Sequence, residues 1–449
     1  MSRVENITEG PIISTVFRLA WPIVASMLLE FALSVTDFFW VGRLGTSEQD
    51  AIVSSMIVTW LAFSVISIIV TGLTALVSRA VGAKDEKRAA FVFRQGIHTA
   101  IAVGTIFVII GFLLAPNILK FMKASPAVQE FGISYLRIIF CAVFMLFMTD
   151  AFGAAFRATG DTKSPTIAMA SGTALNILLD PILIFGFGPI PNMGVSGAAL
   201  ATVVSVLLSL TIFLILIFKN RLGFPLTGIF RIQPDFGTIG KIFRIGLPIS
   251  MQNITFAGVY WFLIQIVHHY GDAAGAAMGV GNRMEALSFL TAFGFAMAAS
   301  TAVGQNLGAK KPERAAKFAY ATMCIVMIET FVISVFFISI PESIAKIFSS
   351  DPAVIAIAVD YLIILGLSQI FMGVEIVLEG AFSGAGDTVP PMTVSITGSI
   401  LRLPIAYLMC FALNVGVNGV WWSLTITSIL KAVVIAFWFS RGHWKTKEL

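Results

Sequence analysis

Long apolar runs follow one another along almost the whole chain, parted by short polar loops. Twelve of them are long enough to cross a hydrocarbon core of roughly 30 Å as helices. They fall near 12–44, 51–80, 89–119, 128–157, 165–187, 194–219, 237–270, 275–308, 315–345, 354–384, 391–413 and 416–440. Several exceed the minimum length, which predicts tilt or projection beyond the bilayer. The stretch from about 220 to 236 is the one long linker, and it divides the runs into two sets of six.

The two sets are copies of each other at an offset of 226 residues. Pro22 recurs as Pro248 and Gly45 as Gly271. Gly82-Ala83-Lys84 recurs as Gly308-Ala309-Lys310, Pro126-Ala127-Val128 as Pro352-Ala353-Val354, and Gly160-Asp161-Thr162 as Gly386-Asp387-Thr388. No gap is needed from Pro22 to Pro165. A fixed period of this length marks a duplicated bundle, not a solenoid of short repeats. Six spans per copy make the copies parallel, related by an axis along the membrane normal, and paired halves of this kind are common in transporters. The sequence therefore predicts an all-α membrane protein of twelve transmembrane helices in two pseudo-symmetric six-helix lobes, 1–225 and 226–449.

Composition sharpens this. Hydrophobic residues make up 57% of the chain and charged residues 12%, about half the charge of an ordinary soluble domain. The net charge of +5 does not point to nucleic acid, because the cations sit in alternate loops: Lys84, Lys87, Arg88 and Arg94; Arg157 and Lys163; Lys219 to Arg244; Lys310 to Lys317; Arg441 to Lys447. That is the positive-inside pattern. It places both termini on the cytoplasmic side of a cell membrane. Cys141, Cys324 and Cys410 lie inside apolar runs at no metal-binding spacing. With no Walker A loop and no nucleophile–base pair, an enzyme is not expected, nor a cofactor, and the energy source is an ion gradient.

A carboxylate at membrane depth is costly unless protonated, paired or hydrated. The chain carries Glu30, Asp37, Asp150, Asp180, Glu285, Glu329, Glu375 and Glu379 there. Asn176 and Asp180 are four apart and share a helix face. Together with Asp37 they can hold Na⁺ through hard oxygens, or a proton shared between two carboxylates. Asp180, followed by Pro181, also fits a helix end facing water. Adding 226 to Asp37, Asn176 and Asp180 gives Leu263, Arg402 and Ala406, so the acidic cluster exists in the first half only. Arg402 needs a partner, and Glu375 or Glu379 is expected to supply it in a second-lobe polar network. Glu30 and Asp150 are open; Arg283 and Glu285 read as interfacial, and His268 and His269 as a solvated helix end. The two Gly-Asp-Thr segments read as turns with caps. Pro22 removes a hydrogen bond from the helix carrying Asp37 and predicts a bend.

With these residues in view, the chain resembles the multidrug and toxic compound extrusion (MATE) family over essentially its whole length. The resemblance rests on Asp37-Phe38-Phe39-Trp40-Val41-Gly42-Arg43-Leu44-Gly45, Val81-Gly82-Ala83-Lys84, the Gly-Asp-Thr turns and Gly194-Val195-Ser196-Gly197-Ala198-Ala199. It implies export of organic cations and other small amphipathic compounds in exchange for H⁺ or Na⁺, by a monomer among membrane lipids. Within the family the chain is similar to the DinF-like branch, which implies an ion site of Asp37, Asn176, Asp180 and Thr202. It lacks the seventh-helix Glu of the NorM-like branch between Gly246 and Phe256. The alternative reading is a flippase for lipid-linked oligosaccharides of the same superfamily, against which twelve spans and an acidic cluster argue.

Overall fold

The computed structural model describes residues 7–121, 125–224 and 233–449. The chain forms α1 (Ile12–Val41), α2 (Thr46–Gly82), α3 (Glu86–Phe121), α4 (Pro126–Ala158), α5 (Lys163–Phe185), α6 (Gly194–Phe218), α7 (Phe236–His268), α8 (Asp272–Gly308), α9 (Pro312–Ser339), the short α10 (Pro341–Phe348), α11 (Pro352–Gly366), α12 (Gln369–Ala385), α13 (Val389–Tyr407) and α14 (Asn418–Ser440). Eleven of these are long and apolar enough to cross a membrane, and α11 with α12, bent by 54°, makes a twelfth span. The outer surface suits lipid. On α3, Ile106, Ile109, Ile110 and Leu113 form one exposed stripe, a face that belongs in hydrocarbon and not in water. Part of the predicted linker, residues 225–232, lies outside the described residues.

The repeat is visible in the backbone. Lys84 and Lys310 both adopt φ 58° in their Gly-Ala-Lys turns, and Gly160 and Gly386 both take positive φ. The first Gly-Asp-Thr segment is the cap it was read to be: Asp161 accepts from the Ser164 backbone at 3.1 Å and from its hydroxyl at 2.7 Å. In the second, Asp387 pairs with Lys447 at 3.0 Å. Beyond Asp180 the second copy is four residues shorter, since Gly197 matches Gly419. The packing follows this shift: Gly172 faces Ser209, and its counterpart Gly398 faces Lys431.

Contacts divide the chain into two compact units, Ala25–Gly246 and Leu247–Leu449, and the start of α1 up to Val24 belongs with the second. The division read from the sequence at residue 225 thus falls at Gly246. The reason lies in small residues and polar clamps. On α7, a Cβ at Gly246 would strike the Ile68 carbonyl of α2, and one at Gly72 the Ile242 backbone. Such close approach is how membrane helices gain contact without a hydrophobic drive. Gln95 of α3 then donates to the Gln233 carbonyl at 2.8 Å and accepts from the Asp235 N–H at 3.0 Å. Asp235 in turn caps α7 through the Thr238 N–H at 2.9 Å; the Thr238 hydroxyl and backbone hold this carboxyl below its ordinary range. In the second unit Arg314 and Lys311 hold the Ile7 and Thr8 carbonyls at 3.3 and 3.2 Å, residues that precede Gln233 and Pro234 by the same 226. Helices α1 and α7 run on through Pro22 and Pro248, within two residues of the points where the units divide.

One element departs from the expected pattern. The tenth span, read as a single helix over 354–384, breaks at Gly366–Ser368 without a proline. Three carbonyls at the break find hydroxyl donors: Thr425 donates to Ile364 at 2.9 Å, Ser368 to Leu365 at 3.1 Å and Ser334 to Gly366 at 2.6 Å. Irregular backbone is tolerated at membrane depth only on such terms. In the first half Val108 and Ala142 stand at the counterparts of Ser334 and Ser368, and α4 is unbroken from Pro126 to Ala158.

Candidate functional site

The first unit gathers the expected residues from three helices. Asn176 and Asp180 lie one turn apart on α5 and are both buried, at 2% and 1% exposure. The helix continues through Pro181 to Phe185, so Asp180 is not a helix end in water. Asp37 of α1 is close enough to Asp180 for a side-chain hydrogen bond. The Asn176 amide, oriented by its hydrogen-bond partners, donates to Asp180 Oδ2 and Asp37 Oδ1, each at 3.2 Å, and accepts from the Thr202 N–H at 3.1 Å. Thr202 of α6 therefore joins through its backbone; its hydroxyl donates to the Ala198 carbonyl at 3.1 Å. Tyr135 of α4, absent from the sequence reading, stands within electrostatic reach of both carboxyls.

One helical turn beyond the cluster the lining becomes apolar. Val41, Ile184 and Ala198 pack together, each four residues from Asp37, Asp180 and Thr202 respectively. Trp40 lies against Phe185 with ring centroids 6.0 Å apart. Apolar packing on that side lowers the local dielectric, which strengthens electrostatic interactions beside it.

A second charged group sits in the same unit. Glu30 of α1 lies near Asp150 and Arg157 of α4. Arg157, read from the sequence as a loop cation, is buried at 8% exposure. It sits seven residues from Asp150, on the same helix face, and serves as its counter-charge.

The second unit contains the polar network, but its pairing differs from the expectation. Arg402 of α13 makes no ion pair with the carboxylates of α12. Its Nε donates to the Thr427 hydroxyl at 2.9 Å and its Nη2 to Ser428 at 3.4 Å. The cation bound to Glu375 is Lys431 of α14, at 2.6 Å, which the sequence reading passed over. Glu379 accepts from Gln252 at 2.8 Å. The reason is reach: Lys431 lies over Gly398, where no side chain blocks its path to α12. Glu285 is not interfacial either. It accepts from Tyr361 at 3.4 Å and lies within electrostatic reach of Arg402, about 20 Å along α8 from its start at 1.5 Å per residue. Glu329 accepts from Thr291. No cluster of three or more His, Cys, Asp or Glu suited to a metal occurs among the described residues.

Known proteins give this geometry its family. The MatE family model matches residues 22–182 and again 248–408, two stretches offset by 226 residues. The chain belongs to the MatE family. As a MatE protein it is an integral, multi-pass membrane transporter and not an enzyme. It is 27% identical over 433 residues to the probable multidrug resistance protein NorM of Thermotoga maritima, covering 96% of this chain and 93% of that protein. It is 25% identical to the multidrug export protein MepA of Staphylococcus aureus, with 95% and 93% covered. It is 24% identical to the FAD transporter of Shewanella oneidensis, with 95% and 94% covered. Among solved MatE-type folds it is similar to a MOP superfamily transporter from Pyrococcus furiosus, with TM-score 0.92, 21% identity and 100% and 99% of the two chains covered. A second, an outward-facing multidrug resistance MATE transporter, gives TM-score 0.91 at 21% identity, again with 100% and 99% covered.

Proposed function

We propose that the chain is a proton-coupled antiporter that exports small amphipathic, mainly cationic compounds across the cell membrane, with both termini cytoplasmic. The observation that carries the reading is the carboxyl pair Asp37–Asp180 under the Asn176 amide. Two ionised carboxylates cannot hydrogen-bond to each other, so the pair needs one proton between them. The shared proton that this pair calls for is the ground for choosing H⁺ over Na⁺ as the coupling ion. Proton binding at the pair removes a negative charge from a site closed on one side by Val41, Ile184 and Ala198. Proton release restores that charge, and the two states differ in what the site demands of its surroundings.

The class of cargo follows the multidrug names of the relatives at 25–27% identity. The FAD transporter at 24% keeps anionic nucleotides on the list of compounds to assay. In proteoliposomes, an imposed pH gradient should drive accumulation of a fluorescent organic cation, and a Na⁺ gradient alone should not. Uptake driven by Na⁺ with pH equal on both sides would overturn the choice of ion. Labelled lipid-linked oligosaccharide in the same vesicles tests the flippase alternative.

A further inference from the structure

The two halves place opposite charges at one register. Tyr135 and Asn176 precede Tyr361 and Arg402 by 226 residues, and both pairs fall within the doubled family match. In the first half the tyrosine and the amide surround two carboxyls. In the second half those carboxyls are replaced by Leu263 and Ala406, both fully buried in an apolar cluster, and the amide is replaced by a guanidinium. Among the described residues, charged and titratable groups from five helices face Arg402. Glu285 of α8 and Glu375 of α12 lie within its electrostatic reach, as do the hydroxyls of Tyr260 on α7 and Tyr361 on α11. Lys431 of α14 also faces it while holding Glu375, and Glu379 stands one turn beyond, held by Gln252. Tyr361 ties the group together by donating to Asn282 at 3.1 Å and Glu285 at 3.4 Å.

We propose that Arg402 is a tethered counterpart of the coupling ion: its guanidinium stands permanently in the second half where H⁺ comes and goes in the first. This rests on the ion-site reading of Asp37 and Asp180. A guanidinium keeps its proton at any physiological pH, and a covalent stem keeps it in place. The charge at this position is therefore fixed in the second half, and of the two equivalent positions only the first-half one exchanges ions during transport. Three carboxylates (Glu285, Glu375, Glu379) face two cations (Arg402, Lys431) in this network. Without Arg402 they outnumber their one remaining cation three to one, and a free cation or proton should be drawn in.

The test uses full-length protein with Asp37→Asn as the background, which breaks the first-half carboxyl pair, and reads what substitution of Arg402 adds to it. Thermal stability is followed across a pH series, with and without Na⁺. Asp37→Asn alone sets the baseline response, and Asp37→Asn with Arg402→Lys should follow that baseline. Asp37→Asn with Arg402→Asn should gain a new dependence on protons or Na⁺, and free guanidinium below denaturing concentration should restore its stability. A double variant whose stability is lowered but answers to none of the three cations sinks the proposal and leaves Arg402 a structural residue. An Asp37→Asn protein whose response to protons and Na⁺ equals that of the native chain would sink the ion-site reading, and this proposal with it. Should the double variant fail to fold, protons released when the native and Asp37→Asn chains bind a fluorescent cation decide the matter: release lost with Asp37 supports the proposal, and release that persists overturns it.

Discussion

Asp37→Asn should insert, fold and still bind a fluorescent organic cation, yet export none of it against a gradient. The substitution keeps size and polarity but removes the group that shares a proton with Asp180. Stability should change little, by about 1 kcal/mol, the scale of one altered hydrogen bond, because Asn can still meet the Asn176 amide. Gradient-driven export should fall to the level of empty vesicles. Asp180→Asn should behave the same way, since either carboxyl alone lacks the partner that makes proton sharing necessary. Native and variant proteins are compared at equal reconstituted amounts under the same pH gradient. If Asp37→Asn exports at the native rate, the coupling ion binds elsewhere, and Glu375 with Glu379 becomes the leading site.

Much of this site is written plainly in the chain. Asn176 and Asp180 announce themselves through helical spacing and the cost of a carboxylate in an apolar run, and the 226 offset exposes the one-sidedness of the cluster. Tyr135 gives no such signal by itself, because an aromatic residue in an apolar helix looks like packing. A signal did exist: of six tyrosines in the chain, Tyr135 and Tyr361 are a pair at the repeat offset. Lys431 was equally findable as the one Lys or Arg between 403 and 440. Arg157 misleads for a physical reason. A cation at the end of an apolar run looks solvated, but its stem can carry the charge back along the helix to Asp150. The break of the tenth span has no local signature at all. Gly366 and Ser368 are ordinary residues in a membrane helix, and what makes the break stable comes from Ser334 and Thr425 on other helices.

Lys431→Met should be among the most destabilising single changes in the second half. Both members of the Lys431–Glu375 pair are buried, at 6% and 8% side-chain exposure. Met keeps an unbranched stem over Gly398, so the change removes the charge and little else. Glu375 is then left without its cation, with Glu379 one turn away adding like charge. Removing one partner of a buried pair costs roughly 3–5 kcal/mol, against about 1 kcal/mol for a typical substitution. Adding Glu375→Gln to Lys431→Met should recover most of the loss, because a pair replaced whole is often near neutral. Glu375→Gln alone should be the milder single variant, since Lys431 keeps Glu379 within reach. Thermal unfolding of the purified proteins reads all three. A Lys431→Met protein as stable as the native one, or a double variant no better than the single, would show that the pair adds nothing.

The fracture in the tenth span has a consequence for how such a protein evolves. Where a proline bends a helix, the angle is written into that helix and changes only if the proline does. Here the angle between α11 and α12 is held by two hydroxyls borrowed from α9 and α14, so its heritable determinants lie on neighbouring helices. Loss of one hydroxyl, as in Ser334→Ala or Thr425→Val, leaves a carbonyl in search of a donor and favours re-closing the helical ladder. Under selection for a new cargo, adaptive changes should therefore surface at positions 334 and 425, which touch no candidate ion ligand, as readily as at residues facing the transported molecule.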